Sequence, residues 1–343
     1  MKQLISRWYD ALNFLSKLNF KRLWNLTCLI GSYQLSRIFN RQWHVGKPFT
    51  MSFEPTTACN LACPECPSGL KIFTRPTGKM DLQFFKETLD QVSDTLMYGI
   101  FYFQGEPYLH PDFTEMIRYA SKKKIYSITS TNAHFLTDER AKKTIESGLD
   151  RLIISLDGTT QEVYESYRRN GHIDKVLEGA RRIVAWKKKL KSNKPYVLFQ
   201  FLVVRPNEHQ IDVVKTLAKE IGVDGVLFKS AQLYDYKNGH PLMPINQKYS
   251  RYVPQKDGTY VIKNILDNYC WKMWHSNVIT WDGQVIPCCF DKDAKYPMGD
   301  LKEEKFDLIW KGKPYEDFRQ ALSKHRKNID ICKNCTEGTR VWL

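Results

Sequence analysis

The sequence predicts an α/β fold: a partial, TIM-like (β/α)6 barrel, preceded by a helical extension and followed by a small cysteine-rich domain. Three observations carry this expectation. From about residue 49, short β-branched or aromatic runs alternate with segments of helical period, the pattern of a parallel sheet with crossover helices. That alternation stops near residue 240. Of the nine cysteines, Cys59, Cys63 and Cys66 fall directly after the first predicted strand, and Cys270, Cys288, Cys332 and Cys335 fall beyond the barrel.

Residues 1–47 form the extension. Leu4, Trp8, Leu12 and Leu15 recur at helical spacing with Arg7 and Lys17 off the stripe, and Leu23, Trp24, Leu26 and Leu29 follow beside Lys21 and Arg22. The segment carries eight basic side chains against one acid, Asp10, a net +7 out of +15 for the whole chain. Basic amphipathic helices rich in Trp and Leu lie in bilayer interfaces; the alternative is that they pack on the outside of the barrel or close its bottom. No apolar run reaches the roughly 18 residues that a membrane span needs, and the secretory-signal pattern is missing. The expectation is a cytoplasmic protein, with peripheral contact at the inner face of the membrane through residues 1–47.

Within 48–240, strands are predicted at 49–54, 98–103, 125–130, 151–156, 196–204 and 224–229. Helices are predicted at 81–96, 112–124, 138–147, 161–189 and 208–221, the last stopped by Gly222 at the usual C-terminal position. Chemistry in such barrels collects at the C-terminal ends of the strands. A Pro- and Lys-rich connection spans 241–269, and 270–343 shows turns, aromatics and cysteines with little periodicity, as in a domain organised by metal.

An odd cysteine count with two closely spaced clusters reads as metal binding in a reducing compartment. Cys59, Cys63 and Cys66 have the spacing C-x-x-x-C-x-x-C, unusual for zinc. An iron cubane normally takes four thiolates, so three leave one iron open. At the end of the second strand stands Gln104-Gly105-Glu106-Pro107, the third ends in Ser130-Thr131-Asn132, and the fourth in Ser155-Leu156-Asp157-Gly158.

Over 49–229 these motifs resemble the radical S-adenosyl-L-methionine (SAM) superfamily. The resemblance implies a SAM-binding 4Fe-4S cluster on Cys59, Cys63 and Cys66, whose open iron chelates the SAM amino and carboxylate groups. It also implies SAM contacts from Gln104, Gly105 and Glu106 to the ammonium, from Ser130, Asn132, Ser155 and Asp157 to the ribose and carboxylate, and from Arg168 to the carboxylate. Glu65 stands where the family often has an aromatic residue near the adenine, and Gln104 and Ala133 each replace a glycine.

Cys270, twelve residues, Gly283, four residues and Cys288, then Cys332-x-x-Cys335, resemble the SPASM auxiliary-cluster domain in its shortened twitch form. This implies one auxiliary 4Fe-4S cluster; read alone, the four cysteines would equally suit a structural zinc. Cys289 is spare, either a hydrogen-atom donor to a substrate radical or a buried small hydrophobe.

The resemblance implies reductive SAM cleavage to a 5′-deoxyadenosyl radical that takes hydrogen from a substrate, with an external one-electron reductant such as flavodoxin or ferredoxin. The single auxiliary site and basic surface favour a small-molecule substrate, a sugar, cyclitol or lipid-linked glycan, that is oxidised or epimerised. One alternative is a peptide-modifying maturase, although 1–47 looks helical rather than like a leader-binding winged helix. The other, from a different class, is a zinc-stabilised nucleic-acid-binding protein, for which net charge is the only support.

Overall fold

The structure is a computed structural model that describes residues 2–338; residue 1 of the extension and residues 339–343 of the cysteine-rich domain lie outside the described residues. Two helices come first, α1 (Lys2–Leu15) and α2 (Phe20–Ile38). The barrel follows as β1 (Thr50–Phe53), α3 (Pro67–Leu70), α4 (Leu82–Val92), β2 (Tyr98–Ile100), α5 (Phe113–Lys122), β3 (Tyr126–Thr131) and α6 (Asp138–Glu146). It continues as β4 (Arg151–Ser155), α7 (Gln161–Tyr167), α8 (Ile173–Lys189), β5 (Tyr196–Val203), α9 (Ile211–Ile221) and β6 (Gly225–Ser230). Then come the hairpin β7 (Tyr252–Pro254) and β8 (Tyr260–Ile262), α10 (Lys272–His275), β9 (Ser276–Ile279), β10 (Gln284–Ile286), β11 (Gly299–Asp300), α11 (Phe306–Lys311) and α12 (Lys313–His325).

All six predicted barrel strands form, parallel and in the order β1 to β6. Their helices start where the chain offers a cap. The Asp81 carboxylate accepts from Phe84 N at 2.8 Å, and Thr137 Oγ1 from Arg140 N at 3.3 Å, each satisfying a free first-turn amide. Gly222, at φ 88°, ends α9 as expected.

Four features depart from the sequence expectation. The helix predicted over 161–189 is two helices, broken where Asn170 takes φ 64° ahead of Gly171. The cysteine-rich region shares the barrel's sheet: β9 lies parallel to β1, Thr50 opposite Ser276, and β10 and β11 extend that edge antiparallel. The connection holds a hairpin turned at Asp257-Gly258, with Gly258 at φ 83°. The tail, expected to be irregular, carries α11 and α12.

The N-terminal helices close the barrel's bottom. Asn13 Nδ2 donates to Asp150 Oδ1 at 2.9 Å, Lys17 pairs with the same carboxylate and donates to Ile125 O at 3.1 Å, and Asp10 takes Tyr126 and Arg151. The Arg22 guanidinium, buried, donates to the carbonyls of Ser93 (3.0 Å), Lys123 (3.0 Å) and Lys124 (2.6 Å), where α4 and α5 end. A cation suits such carbonyls, which carry the negative end of the helix dipole. Farther along, α2 packs Tyr33 between Trp271 and Trp274, both ring centroids 5.1 Å away.

Candidate active site

Beyond β1 the chain is pinned before it reaches the cysteines. The Glu54 carboxylate, fully buried, takes Arg75 Nη1 and Nη2 at 2.8 and 2.6 Å and Trp281 N at 3.2 Å, tying the loop to the region that bears β9. Leu61 N lies 3.5 Å from Cys59 Sγ, and Cys66 immediately precedes the first residue of α3. A Cβ on Gly69 would lie 2.6 Å from Cys63 N, so α3 rests on Cys63 only because that residue is glycine.

The ends of β2, β3 and β4 meet this loop in one cleft. Cys59, Cys63, Cys66, Gly105, Glu106, Ser130, Asn132, Ser155 and Arg168 line it with Thr131 of the same strand-end motif, together with Ser68 and Tyr102, which the sequence did not single out. Gln104 and Asp157 stand outside the wall. Gly105 has φ 72°, and a Cβ there would meet Thr56 O at 2.3 Å; its N–H is taken by Ser68 Oγ at 2.9 Å.

Both carboxylates are already engaged. Glu106 Oε1 accepts from Thr131 Oγ1 (2.7 Å) and Tyr108 N (3.1 Å), and Oε2 from Asn132 N (2.7 Å). Glu106 therefore sets the end of β3 and with it Asn132, whose Nδ2 donates to Asn60 Oδ1 at 2.8 Å. Asp157 accepts from Leu202 N at 2.7 Å and from Arg168 Nε at 2.5 Å. Arg168 is the last-turn cap of α7, so the unforeseen helix break is what turns it inward, Nη1 3.7 Å from Cys63 Sγ. Glu65 faces away from the site: Oε2 accepts from Tyr234 N at 2.9 Å and Oε1 lies 3.4 Å from His240 Nε2.

Burial pushes the Cys59 thiol up to about 12 and raises that of Cys63, against the pull of Arg168. Thiols gathered in a cleft yet disfavoured as free thiolates are a donor set completed by metal charge, since a coordinating thiol deprotonates outright. Among the described residues, no three Cys, His, Asp or Glu side chains are grouped as a single ion would need. A four-iron cubane takes each thiolate on a different iron, which three cysteines spaced along one loop can supply.

Three of the second cysteine set, Cys270, Cys332 and Cys335, lie about a buried cation. Arg326 is fully buried, donates to Glu337 O (2.6 Å) and Tyr269 O (3.0 Å), and brings Nη2 to 3.8 Å from Cys335 Sγ. Burial opposes its charge, but the thiols of Cys270, Cys335 and Cys332 hold its pKa above the usual value. A Cβ on Gly338 would lie 2.2 Å from Cys270 Sγ, a close approach that keeps the chain tight around the thiols. Burial pushes Cys332 up to about 12 and Cys335 to about 11. Donors and cation fit an anionic thiolate-bound cluster. Cys289 lies to the side, its Sγ 3.8 Å from Lys272 Nζ, which also pairs with Glu337 at 2.7 Å.

A barrel with three cysteines at its mouth, joined through one sheet to a four-cysteine unit, defines an iron-sulfur enzyme of the barrel type. The family comparisons agree: the model for the radical SAM superfamily matches residues 53–219, and that for SPASM, an iron-sulfur cluster-binding domain, matches residues 270–336. The chain belongs to the radical SAM superfamily and carries a C-terminal SPASM domain. Its cofactors are accordingly SAM, a SAM-binding 4Fe-4S cluster and auxiliary iron-sulfur chemistry.

Among relatives, the tungsten-containing aldehyde ferredoxin oxidoreductase cofactor-modifying protein of Pyrococcus furiosus is 27% identical, over 82% of this chain and 86% of that protein. PqqA peptide cyclase of Gluconobacter oxydans is 24% identical over 86% and 84%. Mycofactocin maturase MftC of Mycobacterium tuberculosis is 29% identical over 51% of this chain and 43% of its own. Two solved structures share the fold. Streptococcus suis SuiB bound to S-adenosylmethionine has TM-score 0.62 at 14% identity, covering 86% of this chain and 73% of that one. BtrN with AdoMet and 2-DOIA has TM-score 0.53 at 20% identity, covering 86% and 95%.

Proposed function

We propose that this radical SAM enzyme modifies a peptide or a peptide segment of a protein, with Cys59, Cys63 and Cys66 holding the SAM-binding cluster and Cys270, Cys288, Cys332 and Cys335 the auxiliary one. The observation that carries the cofactor assignment is the convergence of the three cysteines with Gly105, Asn132, Ser155 and Arg168 in one cleft. When bound, the cluster and SAM supply one-electron reductive cleavage and hydrogen abstraction from an unactivated C–H bond. The chain's own groups bind and orient. Gly105 lets backbone approach the ligand, the Ser130 and Ser155 hydroxyls and the Asn132 amide offer short polar contacts, and Arg168 faces a carboxylate. Glu106 and Asp157 act one step back, fixing Asn132 and Arg168.

The peptide reading takes its support from relatives: a peptide cyclase aligned along most of both chains, and a maturase aligned over about half of this one. This reverses the order in which the sequence alone ranked the substrates. Small-molecule oxidation or epimerisation is the second reading, favoured by a C-terminal unit with four cluster cysteines and the spare Cys289. Nearly half of the charge that suggested nucleic acid, +7 of +15, sits in the N-terminal segment.

Stimulation of 5′-deoxyadenosine formation by extract of the source organism separates the two. The peptide reading predicts stimulation that proteinase K digestion abolishes. Stimulation that survives digestion overturns it, and if Cys289→Ala then loses product but retains SAM cleavage, epimerisation replaces it.

A further inference from the structure

Apart from Phe14, which packs on Tyr98 and Tyr126, α1 and the first turns of α2 are amphipathic in the inverse sense. A helix packed on a protein normally turns its apolar stripe inward. Here α1 turns Asp10 and Asn13 to the barrel floor, followed by Lys17 in the turn after it, and leaves Leu4, Trp8, Leu12 and Leu15 outside, Trp8 64% exposed. At the start of α2, Arg22 and Asn25 are buried, while Phe20 is 80% and Trp24 61% exposed, with Leu23 beside them. Contiguous exposed apolar surface of this kind marks a contact site.

Charge identifies what covers it. Arg7 and Lys21 lie within the exposed face. The lysine runs ending α5 and α8 belong to the same end of the barrel, because both feed the N-terminal ends of strands. Lys122 and Lys124 are exposed beside the carbonyls that Arg22 holds, and Lys188, Lys189 and Lys191 are exposed next to 192–194, which share a pocket with Tyr9, Leu12 and Asn13 of α1. An apolar stripe of Trp and Leu bordered by basic groups matches the interface of an anionic bilayer: aromatic rings at headgroup level, ammonium and guanidinium groups on anionic lipid. A second copy of the same face would set two such positive rims against each other.

We propose that the exposed face of α1 and the first turns of α2 dock the enzyme on an anionic lipid surface, barrel floor against the bilayer. The mouth then points to water. Six strand steps from Tyr126 to Asn132 set the site about 20 Å above the floor. Substrate therefore enters from the aqueous side, which suits a soluble peptide and removes the reason to expect a lipid-linked one. This docking is independent of which substrate the mouth accepts.

The test is sedimentation of the reconstituted full chain with vesicles of phosphatidylcholine alone or mixed with phosphatidylglycerol. Pelleting with the mixed vesicles is expected, falling with added salt and with phosphatidylcholine alone. Trp8→Glu with Leu12→Glu should weaken it at least about tenfold, as should Phe20→Ser with Trp24→Ser, with melting and SAM cleavage unchanged; Lys188→Glu with Lys189→Glu should lessen the preference for anionic lipid. Three results would each overturn the proposal. They are failure of the wild-type chain to pellet with mixed vesicles, pelleting that both apolar pairs leave intact, and a wild-type dimer in solution that Trp8→Glu with Leu12→Glu converts to monomer, which would assign the face to a second copy.

Discussion

Gly105 and Arg168 carry the sharpest residue-level consequences. Gly105 combines a left-handed backbone with a Cβ path blocked by Thr56 O at 2.3 Å, so Gly105→Ala must move the cysteine loop. The expected result is at least a tenfold loss of SAM affinity by equilibrium dialysis, with a folding cost of about 1–3 kcal/mol. Arg168→Met leaves the Asp157 carboxylate, whose side chain is fully buried, without its cation. That should destabilise by about 3 kcal/mol in urea unfolding, and Asp157→Asn in the same chain should recover part of it. At this scale the cysteines, Gly105 and Asn132 were legible because their chemistry is written in local spacing. Tyr102, Ser68 and Gly69 were not: an aromatic, a serine and a glycine acquire meaning only when another segment arrives against them. The protein partners of Glu106 and Asp157 were hidden for the same reason, since Asn132 N and Arg168 lie 26 and 11 residues away.

Among the elements, the barrel strands and most helices were readable because period and caps are properties of contiguous residues. The break between α7 and α8 had a visible sign, the Asn170-Gly171 pair, which helical periodicity on both sides overrode. That break turns Arg168 to the cleft, with Nη1 3.7 Å from Cys63 Sγ. The N-terminal helices show the limit of pattern reasoning most clearly. Their apolar stripe was plain, but nothing local says that the opposite, polar side would seal a barrel. Lys17→Met tests that seal. It removes the nearer cation from Asp150, which keeps Ser127 N at 2.7 Å, Ser127 Oγ at 3.1 Å, Asn13 Nδ2 at 2.9 Å and Lys194 Nζ at 3.8 Å. The expected loss is about 2–4 kcal/mol of unfolding free energy, with SAM cleavage at the far end of the barrel unchanged in the folded fraction.

For the whole molecule, the joining of the cysteine-rich region to the barrel through β9 and β1 is the feature that sequence could not supply, because a four-residue parallel pairing over 226 positions leaves no local mark. Two histidines lie in the resulting seam. His44 packs against Trp274 and Trp310, and His275 stacks on Phe49; burial pushes both down to about 3. Each is neutral when folded, and the unfolded chain protonates first, near 6.5. Their contribution is therefore complete above about pH 6.5 and is lost as pH falls toward 3, by up to about 1.4 kcal/mol per pH unit for each histidine. Denaturant unfolding between neutral pH and pH 5 should show this slope, and His44→Gln with His275→Phe should flatten it.

The central claim is one SAM-cleaving cluster at the mouth and one auxiliary cluster beside it. It is tested most directly by counting iron and sulfide after anaerobic reconstitution, in the wild-type chain and in Cys59→Ala/Cys63→Ala/Cys66→Ala. The account predicts about eight irons per chain falling to about four, with dithionite-dependent 5′-deoxyadenosine formation abolished. About four irons in the wild type together with tightly bound zinc would contradict the auxiliary cluster, and an iron count unchanged by the triple substitution would contradict the assignment of the mouth.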